Sequence, residues 1–181
     1  MQRISLLLLA LVVCSATALQ AQAPKPDPEL RKLHAWLGHW TYAVEYNPGP
    51  LGPAGKHTGE QTVRMTLGGF FLETRVVEKT PAGEGEELEI IGYDPVNKNF
   101  TLSLYEKGGD TYSGTFTVTT NRVAWTVQSA VAAKSYQIRG TDIYAADWMS
   151  FTRKAEVSTD GKTWTPSYEK RFTKVQPAPK R

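Results

Sequence analysis

The chain has 181 residues, 40% of them apolar or aromatic and 22% charged, with a formal net charge of +3. That length and composition suffice for one domain with its own core, without help from disulfides or metals. Basic and acidic residues are mixed along the chain, which excludes the concentrated basic face of a dedicated nucleic-acid binder.

Residues 1–23 read as a signal peptide and spacer. Arg3 supplies a positive start, and Leu6 to Val13 form an apolar run too short for a stable membrane span. Two small-residue cleavage sites follow, Ala16-Thr17-Ala18 and Ala21-Gln22-Ala23. Pro24 disfavours cutting after Ala23, so cleavage is expected after Ala18, with a site near Ala21 as second choice. The only cysteine, Cys14, lies in this segment behind Val13, which is larger than the small residue a lipid-attachment site wants. The mature chain is then cysteine-free, and loss of Arg3 takes one from the 21 basic residues that face 18 acidic ones. The expectation is an exported protein, periplasmic or extracellular.

The domain is expected over residues 24–175. Asp27-Pro28-Glu29 suits a helix start, because Asp27 can cap free N–H groups, Pro28 fits the first turn and Glu29 meets the positive end. Leu30, Leu33 and Leu37 recur at helical spacing with Trp36 beside them, and Gly38 supplies the stop. A strand follows, with Trp40, Tyr42, Val44 and Tyr46 on one face and Thr41, Ala43 and Glu45 on the other. The stretch 47–60, rich in Pro and Gly at its start, reads as the longest loop, and His57 falls within it.

Beyond it, short strands are predicted at 61–67, 70–79, 87–94, 100–106, 110–119, 122–128, 134–140, 148–158 and 164–173. Alternation is clean in several: Phe100, Leu102 and Leu104 oppose Thr101, Ser103 and Tyr105, and Val123, Trp125 and Val127 oppose Ala124, Thr126 and Gln128. Gly68-Gly69, Asp94-Pro95-Val96-Asn97, Gly108-Gly109 and Asp160-Gly161 mark the turns between them. Short connections favour antiparallel neighbours. The predicted fold is therefore an all-β, antiparallel up-and-down barrel of about eight to ten strands with a short N-terminal helix, or alternatively a two-sheet sandwich. Residues 176–181 read as a disordered tail.

Gly38-His39-Trp40 opening the first strand, the Leu67-Gly68-Gly69-Phe70-Phe71-Leu72 turn, Ile91-Gly92-Tyr93-Asp94 and Tyr112-Ser113-Gly114 occur in the order of the lipocalin-like (calycin) barrels. More narrowly, the chain resembles a bacterial family of uncharacterised lipocalin-like domains. The resemblance implies a closed barrel with a central cavity, and an arginine from the last strand over the tryptophan of Gly-x-Trp, a place for which Arg171 is the better-placed candidate and Lys170 the alternative. Haem-binding barrels of the nitrobindin type belong to the same superfamily and ligate haem through a histidine near the C-terminal strands. This chain has only His34, His39 and His57, so haem is not expected, nor any other cofactor.

An aromatic set, Trp40, Tyr42, Tyr46, Tyr105, Trp125, Tyr136 and Trp148, is expected either to line a cavity or to fill the barrel. Glu73 is the candidate charged contact, although Phe70, Leu72 and Val76 offer that strand an equally good inward face. The candidate ligand-binding residues are thus Trp40, Tyr42, Tyr46, Glu73, Tyr105, Trp125 and Tyr136. Glu84, Glu86, Glu87 and Glu89 read as a solvated turn, and the histidines lack metal spacing. There is no Gly-x-Ser-x-Gly elbow, no His-Glu-x-x-His, no phosphate loop and no nucleophilic cysteine. The expected partner is a small apolar or amphipathic molecule. The alternatives are an enzyme using carboxylate and tyrosine groups in the cavity, with Glu73 paired with Asp94 or Glu45 as candidate acid and base, or a filled barrel acting through its surface.

Overall fold

The computed structural model describes residues 23–131 and 134–176. The predicted signal peptide lies outside the described residues but for Ala23, as does the tail but for Gln176. Side chains of residues 130–134 are also outside them.

Ten antiparallel strands close into one barrel: β1 (Gly38–Tyr46), β2 (Gly55–Thr66), β3 (Phe71–Thr80), β4 (Gly83–Asp94), β5 (Asn99–Glu106), β6 (Thr111–Val118), β7 (Arg122–Val131), β8 (Lys134–Tyr144), β9 (Ser150–Ser158) and β10 (Thr165–Lys174). Each strand pairs with its sequence neighbour, and β1 pairs with both β2 and β10. Closure leaves no free edge and excludes the two-sheet sandwich.

The predicted helix is a 3₁₀-helix, Pro28–Trp36. At about three residues per turn, Leu30, Leu33 and Trp36 fall in one row, and Leu30 and Leu33 are buried. Asp27 accepts from the Glu29 amide at 2.9 Å, as its position predicts. Leu37 lies past the helix end and serves as its C-cap.

The helix covers the barrel end where the odd-numbered strands begin. There Trp36 stacks on Phe116 and Tyr144 at centroid distances of 5.6 and 6.0 Å. Trp40 is 1% exposed and donates its Nε1–H to the Trp36 carbonyl at 2.8 Å. The cation over Trp40 is Lys174, not Arg171 or Lys170. Lys174 pairs directly with Trp40, places Nζ 5.2 Å from its ring and donates to the Ala35 carbonyl at 2.8 Å. Even-numbered residues of β10 face inward from Tyr168 onward, so Arg171 is left outside, bonded to Glu169.

The opposite end carries the long loop, which is shorter than expected because β2 already begins at Gly55. Gly55, His57, Gly59 and Gln61, its inward residues, are small or polar. They carry no apolar alternation to announce a strand.

Candidate functional site

The barrel encloses a cavity of about 750 Å³ that runs from the loop end toward the helix. Its floor is apolar and aromatic, with Trp36, Trp40, Val63, Ile91, Phe116 and Phe151. Polar groups enter in three clusters above it.

The first cluster centres on Glu78 of β3. Its carboxylate accepts from Tyr42 Oη at 3.0 Å, Tyr46 Oη at 3.1 Å and Lys170 Nζ at 3.1 Å, and lies 2.9 Å from His57 Nδ1. Tyr42, Gly59 and Glu78 are successive partners across β1, β2 and β3. Gly59 has no side chain in that row, and the Tyr42 phenol occupies the vacated space. The Lys170 ammonium lies over Tyr42, Tyr168 and Tyr46 at 4.8, 5.4 and 5.9 Å.

Burial alone would raise the Glu78 pKa. The Lys170 charge and the hydrogen bonds of His57, Lys170 and Tyr42 outweigh it and hold the carboxyl below the ordinary glutamate range. Burial likewise opposes the Lys170 charge, but Tyr46, Tyr42 and Glu78 around it win and raise its pKa well above the ordinary lysine value. Burial also pushes the Tyr42 and Tyr46 phenols up. Lys170 thus stays an ammonium at neutral pH, unsuited to attack a carbonyl, and Glu78 is a weak base.

The second cluster is Asp142 of β8 with Arg153 of β9, direct cross-strand partners. Arg153 donates through Nε at 2.9 Å and Nη2 at 2.8 Å, and Trp125 Nε1 donates to Asp142 Oδ1 at 2.9 Å. Asp142 is 1% exposed. Arg153 lines the cavity, and its free surface faces that space. A Cβ on Gly140 would sit 2.2 Å from the Trp125 ring, so glycine there lets the indole lie across β8 toward Asp142.

The third cluster is acidic: Glu87 and Glu89 on β4 and Glu106 on β5 line the cavity. Glu87 and Glu106 are direct cross-strand partners. Burial, then the Glu89 charge beside it, raises the Glu87 pKa well above the ordinary value. Burial, then Asp110, raises that of Glu106.

Of the residues singled out from sequence, Trp40, Tyr42, Tyr46, Trp125 and Tyr136 line the cavity. Glu73 does not. It lies under the exposed guanidinium groups of Arg64 and Arg75 on the outer wall, bonded at 2.8 and 2.7 Å, and their cover explains its low exposure. Thr74, Val76 and Glu78 form the true inward face of β3. Tyr105 also faces outward and is 49% exposed, as its alternation with Leu102 and Leu104 requires. Trp148 lies in the β8–β9 turn at the helix end, against Tyr144.

Glu87 and Glu89 are cavity residues, not part of a solvated turn, and His57 is a strand residue at the cavity mouth. Glu78, Lys170, Asp142 and Arg153 carried no local sequence signal. Their meaning depends on partners that only barrel closure supplies. Among the described residues, no group of three or more His, Cys, Asp or Glu is arranged to hold a metal ion, and no helix is long and apolar enough to cross a membrane.

Among solved structures, the crystal structure of Rv2717c from M. tuberculosis is similar, with a TM-score of 0.60 and 17% identity. The match covers 84% of this chain and 100% of that chain, and at this identity it speaks to fold alone. No curated protein matches the chain. Residues 25–174 match the profile of a family described as protein of unknown function, DUF1579. That match spans the barrel and its covering helix, and the chain belongs to the DUF1579 family.

Proposed function

We propose that this protein binds a small amphipathic molecule in the barrel cavity, its apolar part on the floor and its polar end among the charged groups nearer the mouth. The observation that carries the reading is the cavity itself: about 750 Å³ of space, apolar below and ion-paired above. A barrel serving only as a surface would fill that space with side chains. The predicted signal peptide adds that the molecule is met outside the cytoplasm. Membership of the calycin superfamily fits this reading and remains part of the proposal.

The test is binding of the neutral dye N-phenyl-1-naphthylamine, followed by its fluorescence. The reading expects one saturable site, lost in Leu102→Trp, which narrows the cavity, and kept in Tyr105→Ala, which alters only the outer wall. Absence of saturable binding, or equal loss in both variants, would overturn it.

A further inference from the structure

The Arg153 guanidinium is fixed along one edge and open along another. Its Nε and Nη2 donate to Asp142 at 2.9 and 2.8 Å. Around it lie the rings of Trp125, Phe172 and Phe151, with centroids 5.4, 5.6 and 6.0 Å away. Asp142 is held in turn by the Trp125 indole, whose path across β8 depends on Gly140. A guanidinium carries five N–H donors, so both on Nη1 and the second on Nη2 are left over. Among the described residues Nη1 meets no acceptor, and unlike the Trp36 indole nitrogen it is not sealed from open space. The side chain is 25% exposed, and the space it meets is the cavity.

Stability does not explain this arrangement. A buried ion pair contributes little net stability. Arg153 also has a second cation, Lys170, as its direct cross-strand partner on β10, and like charges so placed are destabilising. What the arrangement does provide is an oriented pair of donors, one N–H on Nη1 and one on Nη2 pointing the same way. They sit just above the aromatic floor, because Phe151, a floor residue, is two positions along β9 on the same face.

The charge of the whole lining decides which acceptor fits. Glu78 is paired with Lys170, Asp142 with Arg153 and, in an exposed pair, Glu86 with Lys107. Glu87, Glu89, Glu106 and Asp110 also line the cavity and have no ion-pair partner among the described residues. The lining therefore holds more acid than base, and Arg153 already has its counter-charge. A carboxylate or phosphate would add negative charge to that space, and an ammonium would bring donors to a donor. A carbonyl brings two lone pairs and no charge.

We infer that the polar end of the bound molecule is an uncharged carbonyl, of ketone, ester or amide type, whose oxygen accepts from the free end of the Arg153 guanidinium. This rests on the reading that the cavity binds an amphipathic molecule, and adds the chemistry of its head. Asp142 and Trp125 are positioning residues: they hold the guanidinium, and Arg153 makes the contact.

The test uses 2-decanone and decanoate, each measured by its displacement of N-phenyl-1-naphthylamine, a dye with no carbonyl. The ketone is expected to bind about tenfold tighter than decanoate. With carbon-13 at its carbonyl, the bound ketone should show an infrared C=O stretch below its position in a hydrocarbon solvent. Arg153→Met alone strands the Asp142 carboxylate, so the variant is Arg153→Met with Asp142→Leu, and saturable dye uptake certifies its fold. In it the ratio of ketone to dye affinity should fall about tenfold and the infrared shift should disappear. The wild-type ranking and infrared position stand independently of that variant. Decanoate binding tighter than the ketone would overturn the uncharged head. An unshifted carbonyl in the wild type, or an unchanged ratio and shift in the double variant, would overturn the Arg153 seat. These results leave the cavity reading standing, whereas failure of the dye and both probes to bind the wild type would overturn that reading itself.

Discussion

Gly59 and Tyr42 share one space: a Cβ at Gly59 would lie 2.4 Å from the Tyr42 phenol oxygen and 2.6 Å from the Val77 carbonyl. The glycine is therefore what allows Tyr42 to cross β2 and reach Glu78. Gly59→Ala is expected to displace the ring, break the Tyr42–Glu78 hydrogen bond and lower stability by about 1–3 kcal/mol, the usual range for overpacking. Urea denaturation checks this. A midpoint equal to wild type would mean that the Tyr42 position is not held as described.

Asp142, held by Arg153, is the most deeply buried ion-pair partner among the described residues. Arg153→Met leaves an uncompensated carboxylate at a site 1% exposed, with an expected loss of about 3–5 kcal/mol. Replacing Asp142 by leucine in the same molecule should restore much of that loss, because two apolar groups no longer need each other's charge. Chemical denaturation of the single and double variants decides it; a double variant no more stable than Arg153→Met contradicts the account.

Stability should fall on both sides of a pH optimum, for different reasons. The folded-state pKa of Glu78 is lowered, so its contribution is present above the unfolded pKa and is lost as pH falls through the folded one. The pKa values of Glu87 and Glu106 are raised, so the stability linked to their protons is complete below the unfolded pKa and disappears as pH rises through the folded values. Glu87→Gln should remove part of the decline on the rising-pH side and leave the acid side in place. Thermal melts across the pH range test it, and a variant with the wild-type profile on the rising-pH side would refute the assignment.

Export is testable at the N-terminus. The protein recovered from the periplasm or medium of an expressing bacterium should begin at Leu19, after cleavage at Ala18. Recovery of the uncut chain only, from the cytoplasm, would remove this part of the reading.

The barrel was legible where alternation of side chains was unambiguous. Phe100, Leu102 and Leu104 against Thr101, Ser103 and Tyr105 assigned the faces of β5, and the same pattern puts Tyr105 outside. On β4 the pattern misleads, because Leu88 and Ile90 face outward while Glu87 and Glu89 face the cavity. Apolar residues in β4 thus signal the wrong face where a wall is built for polar contact. The first half of β2 carries no strand signal for a related reason: small and polar inward residues make room for Tyr42, and no apolar period remains there. The Glu78–Lys170 pair joins positions 92 residues apart in sequence. It exists only once β1 bridges β2 and β10, which no local pattern announces.

Native mass spectrometry of the mature protein, purified gently from the exported fraction and compared with a denatured control, tests the central claim most directly. The account predicts a reproducible extra mass that fits a cavity of about 750 Å³ and leaves on denaturation. Bare protein from that fraction, together with no saturable uptake of the neutral dye, would contradict it.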